Sequence, residues 1–170
     1  MTETSLDDLI HAGTKTYEQV DALFATLPPV TIEALIGTWR AAYIPRVSGY
    51  QRVIDMGWYG MRFTDENTVD TMLIVDGSDV FAADVIKLAG AMTAETRHMS
   101  ELRSEIETHE PTCCLRMIEH RGALSAAAIY DRQPVIDYFR LIDDNAVVCA
   151  AEGRGRTEVA YSVLQRVGRP

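Results

Sequence analysis

Apolar positions change their period along the chain. Tyr17, Val20, Leu23, Phe24 and Leu27 recur at the three-to-four spacing of one helix face. Thr16 with Gln19 has the spacing of a capping box, and Leu27-Pro28-Pro29 ends the helix, since a residue before proline is pushed out of the α region. Thr31 can cap a short turn through Glu33 to Ile36, and the apolar Val53, Ile54 and Met56 predict a third short helix around Gly49–Met56. From Gly57 onward the period falls towards two. Trp58–Phe63 alternates large groups and is rich in strand formers. The polar stretch Thr64–Asn67 separates it from Thr68–Val75, which runs into Asp76-Gly77, a pair suited to a hairpin turn. Val80–Leu88 reads as a further strand or as a strand leading into a helix.

Ala94–Glu107 carries Met99, Leu102 and Ile106 at helical spacing among many charges, which predicts an exposed helix or a long decorated loop. After Pro111, Cys114–Arg121 and Ala123–Tyr130 are two strands, or one strand with a bulge at Gly122. Pro134–Ile142 and Asn145–Ala151 are joined at Asp143-Asp144, and Gly153–Arg156 breaks the chain before a last strand over Thr157–Val167. Roughly seven to ten short strands at even spacing, the last ones with no helix between them, predict a mostly β, antiparallel barrel or sandwich.

Composition narrows the class of partner. A chain of 170 residues with 47% hydrophobic side chains fits one domain. Its net charge of −9, from 25 acids and 16 bases, lacks the basic footprint of a nucleic-acid module and suits no anionic membrane surface. No apolar run nears the roughly 18 residues of a membrane span, and Met1–Asp8 has neither a basic start nor an apolar h-region. The expectation is a cytoplasmic protein without stable membrane insertion. Three cysteines, two of them adjacent, make no disulfide framework. Apart from Lys15 and Lys87 every base is arginine; codon bias explains most of that, and burial of some guanidinium groups is the alternative.

The sharpest local feature is Gly37-Thr38-Trp39-Arg40-Ala41, placed where the helical start meets the first strand. It is followed by Gly57-Trp58-Tyr59-Gly60-Met61-Arg62-Phe63, Leu115–Gly122 and Tyr130-Asp131-Arg132-Gln133-Pro134-Val135-Ile136-Asp137-Tyr138-Phe139-Arg140. In that order these stretches resemble the bacterial GXWXG-domain proteins with their companion domain of unknown function 4334 (DUF4334), over nearly all of 16–167. Residues 16–75 match the first part with its helices, and 111–167 the strand-rich second part. The resemblance implies one lipocalin or fatty-acid-binding-like barrel with short N-terminal helices. It also implies barrel closure by Gly37, Trp39 and Arg166, the arginine packing across the indole for about 0.5–2 kcal/mol. Ala41, Met61 and His120 depart from the usual glycine, lysine and tyrosine. A fold and a candidate site follow from the likeness, but no reaction.

Neither of two recognised strands has a clean apolar face. Arg116, Ile118 and His120 oppose Leu115, Met117 and Glu119; Asp137, Phe139 and Leu141 oppose Ile136, Tyr138 and Arg140. Either the barrel interior is partly polar, or these charges pair across strands on the outside. The residues expected to line a ligand cavity are Trp58, Phe63, Arg116, Tyr130, Phe139 and Arg140, with Arg116 or Arg140 holding an anionic or polar head. Trp58 and Phe63 serve equally well as core. An acid–base pair, if there is one, is sought at His120 with Glu119, Asp131 or Asp137. Asp131 and Gln133 suit a turn, or the mouth of a pocket.

No P-loop, Gly-x-Ser-x-Gly elbow, His-Glu-x-x-His or CxxC spacing is present, so no metal or cofactor is expected. The leading expectation is binding of a small hydrophobic or amphipathic molecule, lipid or fatty-acid-like, inside the barrel; a homodimer stays open. The rivals are a small barrel enzyme of isomerase, cyclase or hydratase type, and an interaction module docking through Ala94–Glu110.

Overall fold

A computed structural model describes residues 5–11, 15–47 and 49–168, so Met1–Thr4 of the stretch read for a leader lie outside the described residues. The first elements are helices α1 (Leu6–Ile10), α2 (Tyr17–Thr26) and α3 (Ile32–Leu35), strand β1 (Gly37–Tyr43) and helix α4 (Gln51–Asp55). Strands β2 (Trp58–Asp65), β3 (Thr68–Asp76) and β4 (Asp79–Ala82) follow, then helix α5 (Val85–Ala91), a 3-10 turn (Met99–Leu102) and helix α6 (Arg103–Ile106). The chain ends in strands β5 (Cys113–His120), β6 (Ala123–Tyr130), β7 (Val135–Asp143), β8 (Ala146–Gly153) and β9 (Ala160–Val167). The sheet runs β2-β1-β9-β8-β7-β6-β5-β3 and closes on itself through β2–β3, with β4 attached outside β3. The result is a closed antiparallel barrel of eight strands, the mostly β fold expected. No described helix is long and apolar enough to cross a membrane.

Local signals behave as their chemistry dictates. The Thr16–Gln19 capping box forms in both directions and Leu27 caps the end of α2 in an extended conformation. Val80–Leu88 is a strand leading into a helix, because the Asp84 carboxylate accepts the free amides of Ile86 and Lys87 and starts α5. Arg121 and Gly122, both at positive φ, form a two-residue hairpin loop between β5 and β6.

The barrel has two apolar layers rather than one. Trp39, Phe63, Leu115, Phe139, Val147 and Leu164 fill the interior. Leu9, Val20 and Phe24 of α1 and α2 pack with Val148, Ala150, Tyr161 and Val163 against the outside of β8 and β9. Those strands are covered on both faces, which is why Ala146–Ala151 is an unbroken small, apolar run, 2% exposed or less throughout.

A wedge interrupts the sheet. Strands β6 and β7 pair only at Ala127↔Tyr138, Ala128↔Asp137 and Ile129↔Ile136. Beyond that they part, and Pro28–Val30 runs between them. Ala126 N–H donates to Val30 O at 2.8 Å and Leu141 N–H to Pro28 O at 2.9 Å. Val30 N–H finds the Ser125 hydroxyl at 2.9 Å, which itself donates to Phe139 O at 2.7 Å. Prolines suit this position because they bring carbonyls without an amide that would need a partner.

One end of the barrel is sealed. Trp39 and Arg166 face each other across β1 and β9, the guanidinium carbon 4.2 Å from the centre of the indole. Trp39 Nε1 donates to Leu35 O at 2.6 Å, and Arg166 donates to Ile36 O at 2.9 Å and to Ala34 O, so α3 is bound to the seal. Gly37, at φ +133°, leaves room for Arg166: a Cβ there would stand 3.1 Å from its Nη1.

The segment over Ala94–Glu107 is a loop followed by the 3-10 turn and α6, exposed at Glu95, Arg97, Glu101 and Glu105 but anchored from beneath. Met99 and Ile106 are 1% and 0% exposed and belong to the interior cluster. Part of its charge is paired within the protein, since Arg103 holds Asp76 and Asp79 at 2.9 Å each and Glu107 in a fork. Of the arginines in the recognised strands, Arg140 alone is fully buried; Arg40, Arg62 and Arg116 are exposed and Arg166 is half-buried.

Gly60, at φ +146°, lets β1 and β2 close on each other: an added Cβ would lie 2.0 Å from Trp39 O. Because that obstacle is backbone, Gly60→Ala is expected to cost at least ~3 kcal/mol in urea unfolding. A loss under ~1 kcal/mol would show that the strands can part there without consequence.

Candidate functional site

With the Trp39 end sealed, open space lies at the other end of the barrel. A cavity of about 250 Å³ sits there, walled by Trp58, Met61, Thr71, Met72, Tyr130 and Asp137 of the strands and roofed by α4 and α5. Trp58 fixes one wall: its Nε1 donates to Gly60 O and Thr71 O, and the Tyr50 ring lies 5.1 Å from it. The roof is tied down on two sides. Asp84, the cap of α5, pairs with Arg132 of the β6–β7 connection, and its own N–H donates to Ile106 O at 2.9 Å. Gln133 and Arg156 stand at the mouth.

At depth the wall turns polar. Strand β7 points Asp137 inward, 2% exposed, and the Tyr130 hydroxyl donates to its Oδ2 at 2.9 Å. Burial pushes the carboxyl up from 3.8 to about 6, against the Tyr130 hydrogen bond and the more distant Arg156, which hold it down. Burial and the charge of Asp137 together push the Tyr130 and Tyr50 hydroxyls well above their ordinary value, so both stay protonated. Burial likewise pushes up the Cys113 and Cys149 thiols, which makes them poor nucleophiles.

The structure brings Trp58, Tyr130 and Asp137 together at this cavity and places the other expected residues elsewhere. Phe63 and Phe139 meet edge to face at 5.5 Å in the packed core. Arg116 is exposed on the outer surface, donating to Glu66 O and Asn67 Oδ1. Arg140 lies on the outer side of β7 beneath α2, 5.2 Å from the Phe24 ring, and donates to His120 O at 2.6 Å. Neither arginine reaches the cavity to hold a head group.

His120 is also outside. It stacks on Tyr138 at 3.7 Å and meets Glu152, not Glu119, at 3.0 Å; Glu119 is exposed. Burial holds its imidazole below 6.5, opposed by the Glu152 charge. Asp131 is exposed. Tyr50, Thr71 and Arg156 were not legible as lining. Arg156 belongs to the Gly-Arg-Gly-Arg run, whose polarity reads as a loop, and its link to the mouth is a hydrogen bond to Tyr50 a hundred residues away.

A larger depression, about 460 Å³ around Arg62, Asp70, Asp79 and Arg103, is already occupied by ion pairs. The barrel cavity is therefore the better candidate.

Known proteins place these features in context. Residues 22–78 match the family model described as GXWXG protein, and residues 111–166 match that of the domain of unknown function DUF4334. A crystal structure of a protein from Thermomonospora curvata is 28% identical in sequence, with 92% of each chain covered and a TM-score of 0.71. No curated protein matches the chain.

The environment of Asp137 has a pH signature. A carboxyl raised by folding holds its proton more tightly in the native state, so its contribution is full below about pH 4 and is lost as pH rises through about 6. The stability of Asp137→Asn relative to wild type is expected to rise by about 2 kcal/mol between pH 4 and pH 7. Urea unfolding of both proteins across that range checks this. A difference that does not change with pH would mean that Asp137 is not buried as described.

Proposed function

From a chain whose GXWXG and DUF4334 segments close one lipocalin-like barrel, we propose binding of a compact, mostly apolar small molecule in the cavity beneath α4 and α5. The observation that carries the reading is a largely apolar, half-open pocket with one buried carboxyl at its depth. Apolar walls reward removal of a ligand from water, and a few fixed polar groups orient it.

Size favours a smaller ligand than a long-chain fatty acid. A cavity of ~150 Å³ accepts benzene, and drug-sized ligands occupy roughly 300–1,000 Å³. At about 250 Å³ the space suits a molecule of one or two rings or a short branched chain. A cytoplasmic place of action belongs to the same proposal, supported by the acidic charge and free thiols.

A second reading draws on one observation. Asp137 has a value near 6 in an apolar cavity, which suits a general base. An acid–base enzyme of isomerase, hydratase or cyclase type would then work at Asp137 and Tyr130, not at His120.

The test uses entry. Ala89 of α5 lines the mouth and is exposed, so Ala89→Trp can obstruct it without disturbing the core. Native mass spectrometry and calorimetry are expected to show one equivalent of toluene or naphthalene taken up by wild type and no palmitate. Uptake should fall at least tenfold in Ala89→Trp at an unchanged melting temperature. An apo protein that takes up no apolar probe would overturn the proposal.

A further inference from the structure

Two buried polar atoms of the cavity wall have no partner in the protein. Asp137 Oδ1 and Thr71 Oγ are both unsatisfied, and their residues are 2% and 1% exposed. Four other buried side-chain atoms among the described residues are also unpaired, on Thr112, His120, Arg140 and Ser162, but none of these residues lines the cavity. A buried polar group left unpaired loses its hydration without return, so each such atom calls for a partner.

Both orphans belong to residues that neighbour Tyr130 in the cavity wall. Tyr130 donates to Asp137 Oδ2, leaving Oδ1 to accept from elsewhere. Thr71 stands near enough to the Tyr130 hydroxyl to favour its ionised form, yet without hydrogen-bond geometry. With Asp137 ionised, the wall thus offers one acceptor and one hydroxyl free to donate.

Few groups answer both. A carboxylate has no proton for Asp137 and sets a second negative charge beside it. An ammonium can donate to both oxygens but leaves the Thr71 proton without an acceptor, and a ketone or ether has the lone pair but no proton. A hydroxyl does both. We infer that the ligand is a neutral alcohol or phenol, its hydroxyl donating to Asp137 Oδ1 and accepting from Thr71 Oγ while its apolar body lies against Trp58, Met61 and Leu88. This rests on the cavity being a binding site.

Three probes of one shape test it: toluene, p-cresol and p-toluate. Methionine-methyl NMR localises them, because Met61, Met72 and Met92 line the cavity and Met117 is exposed outside it. p-Cresol is expected to shift the three cavity methyls and to bind roughly tenfold more tightly than toluene, as suits a hydrogen bond to a charged acceptor. p-Toluate should shift none of them. Asp137→Leu should abolish the preference, so that p-cresol binds no more tightly than toluene. Thr71→Val, nearly the same shape, should reduce the preference several-fold and keeps the test open if Asp137→Leu does not fold. Equal affinities for toluene and p-cresol, tightest binding of p-toluate, or a preference unchanged in the variants would overturn the hydroxyl assignment while leaving the binding site intact. No methyl shift with any probe would overturn the binding site itself, and the assignment with it.

Discussion

The contact between Arg166 and Trp39 decides which end of the barrel stays open. A closed sheet of eight strands must dispose of two ends, and the guanidinium held 4.2 Å over the indole disposes of one. Energetically it is modest, ~0.5–2 kcal/mol with its charge-assisted hydrogen bonds to the α3 carbonyls in addition. Geometrically it is decisive. It draws α3 against the floor, commits Phe63, Phe139 and Leu164 to filling the space above, and leaves α4 and α5 to cover the far rim. The empty volume is left only beneath that looser roof.

The pleat of β7 then sorts the chemistry. Asp137 and Phe139 point into the barrel, whereas Tyr138 and Arg140 point out under α2. Consecutive polar positions on one strand therefore serve two separate environments. The inner one is acidic, with Asp137 and two protonated tyrosines. The outer one is a network in which Arg140, Arg121, His120 and Glu152 meet beside Phe24. Its arginines and histidine hold the N-terminal helices to the barrel and have no access to the interior.

That division explains what could and could not be read from the amino acids. The sealed end was legible through the family resemblance, which implies a late arginine across the tryptophan of the Gly-x-Trp stretch. Strands and turns were legible because proline, glycine and Asp-Gly mark their ends. Two-residue alternation also separated Asp137 from Arg140 correctly, but alternation never says which face is inside. With α2 lying over the outer wall both faces are buried, so the usual clue, that the polar face meets water, is absent. Arg140 and His120 were misplaced for that reason. Ala94–Glu107 was half read: its exposed charges and the spacing of Met99 and Ile106 were visible, but not that those two side chains reach the barrel's interior cluster.

The Pro28–Val30 wedge ties together the regions matched by two different family models. It comes from the GXWXG segment, while the strands it enters, β6 and β7, lie in the DUF4334 segment. The two segments are also laced through β1–β9 and β3–β5, so neither carries a closed sheet of its own. A chain that lost one would present bare strand edges and an unfilled slot, the features that make sheets aggregate. Two names here describe one mechanical object, and a gene-level split between them would have to cut through its lock.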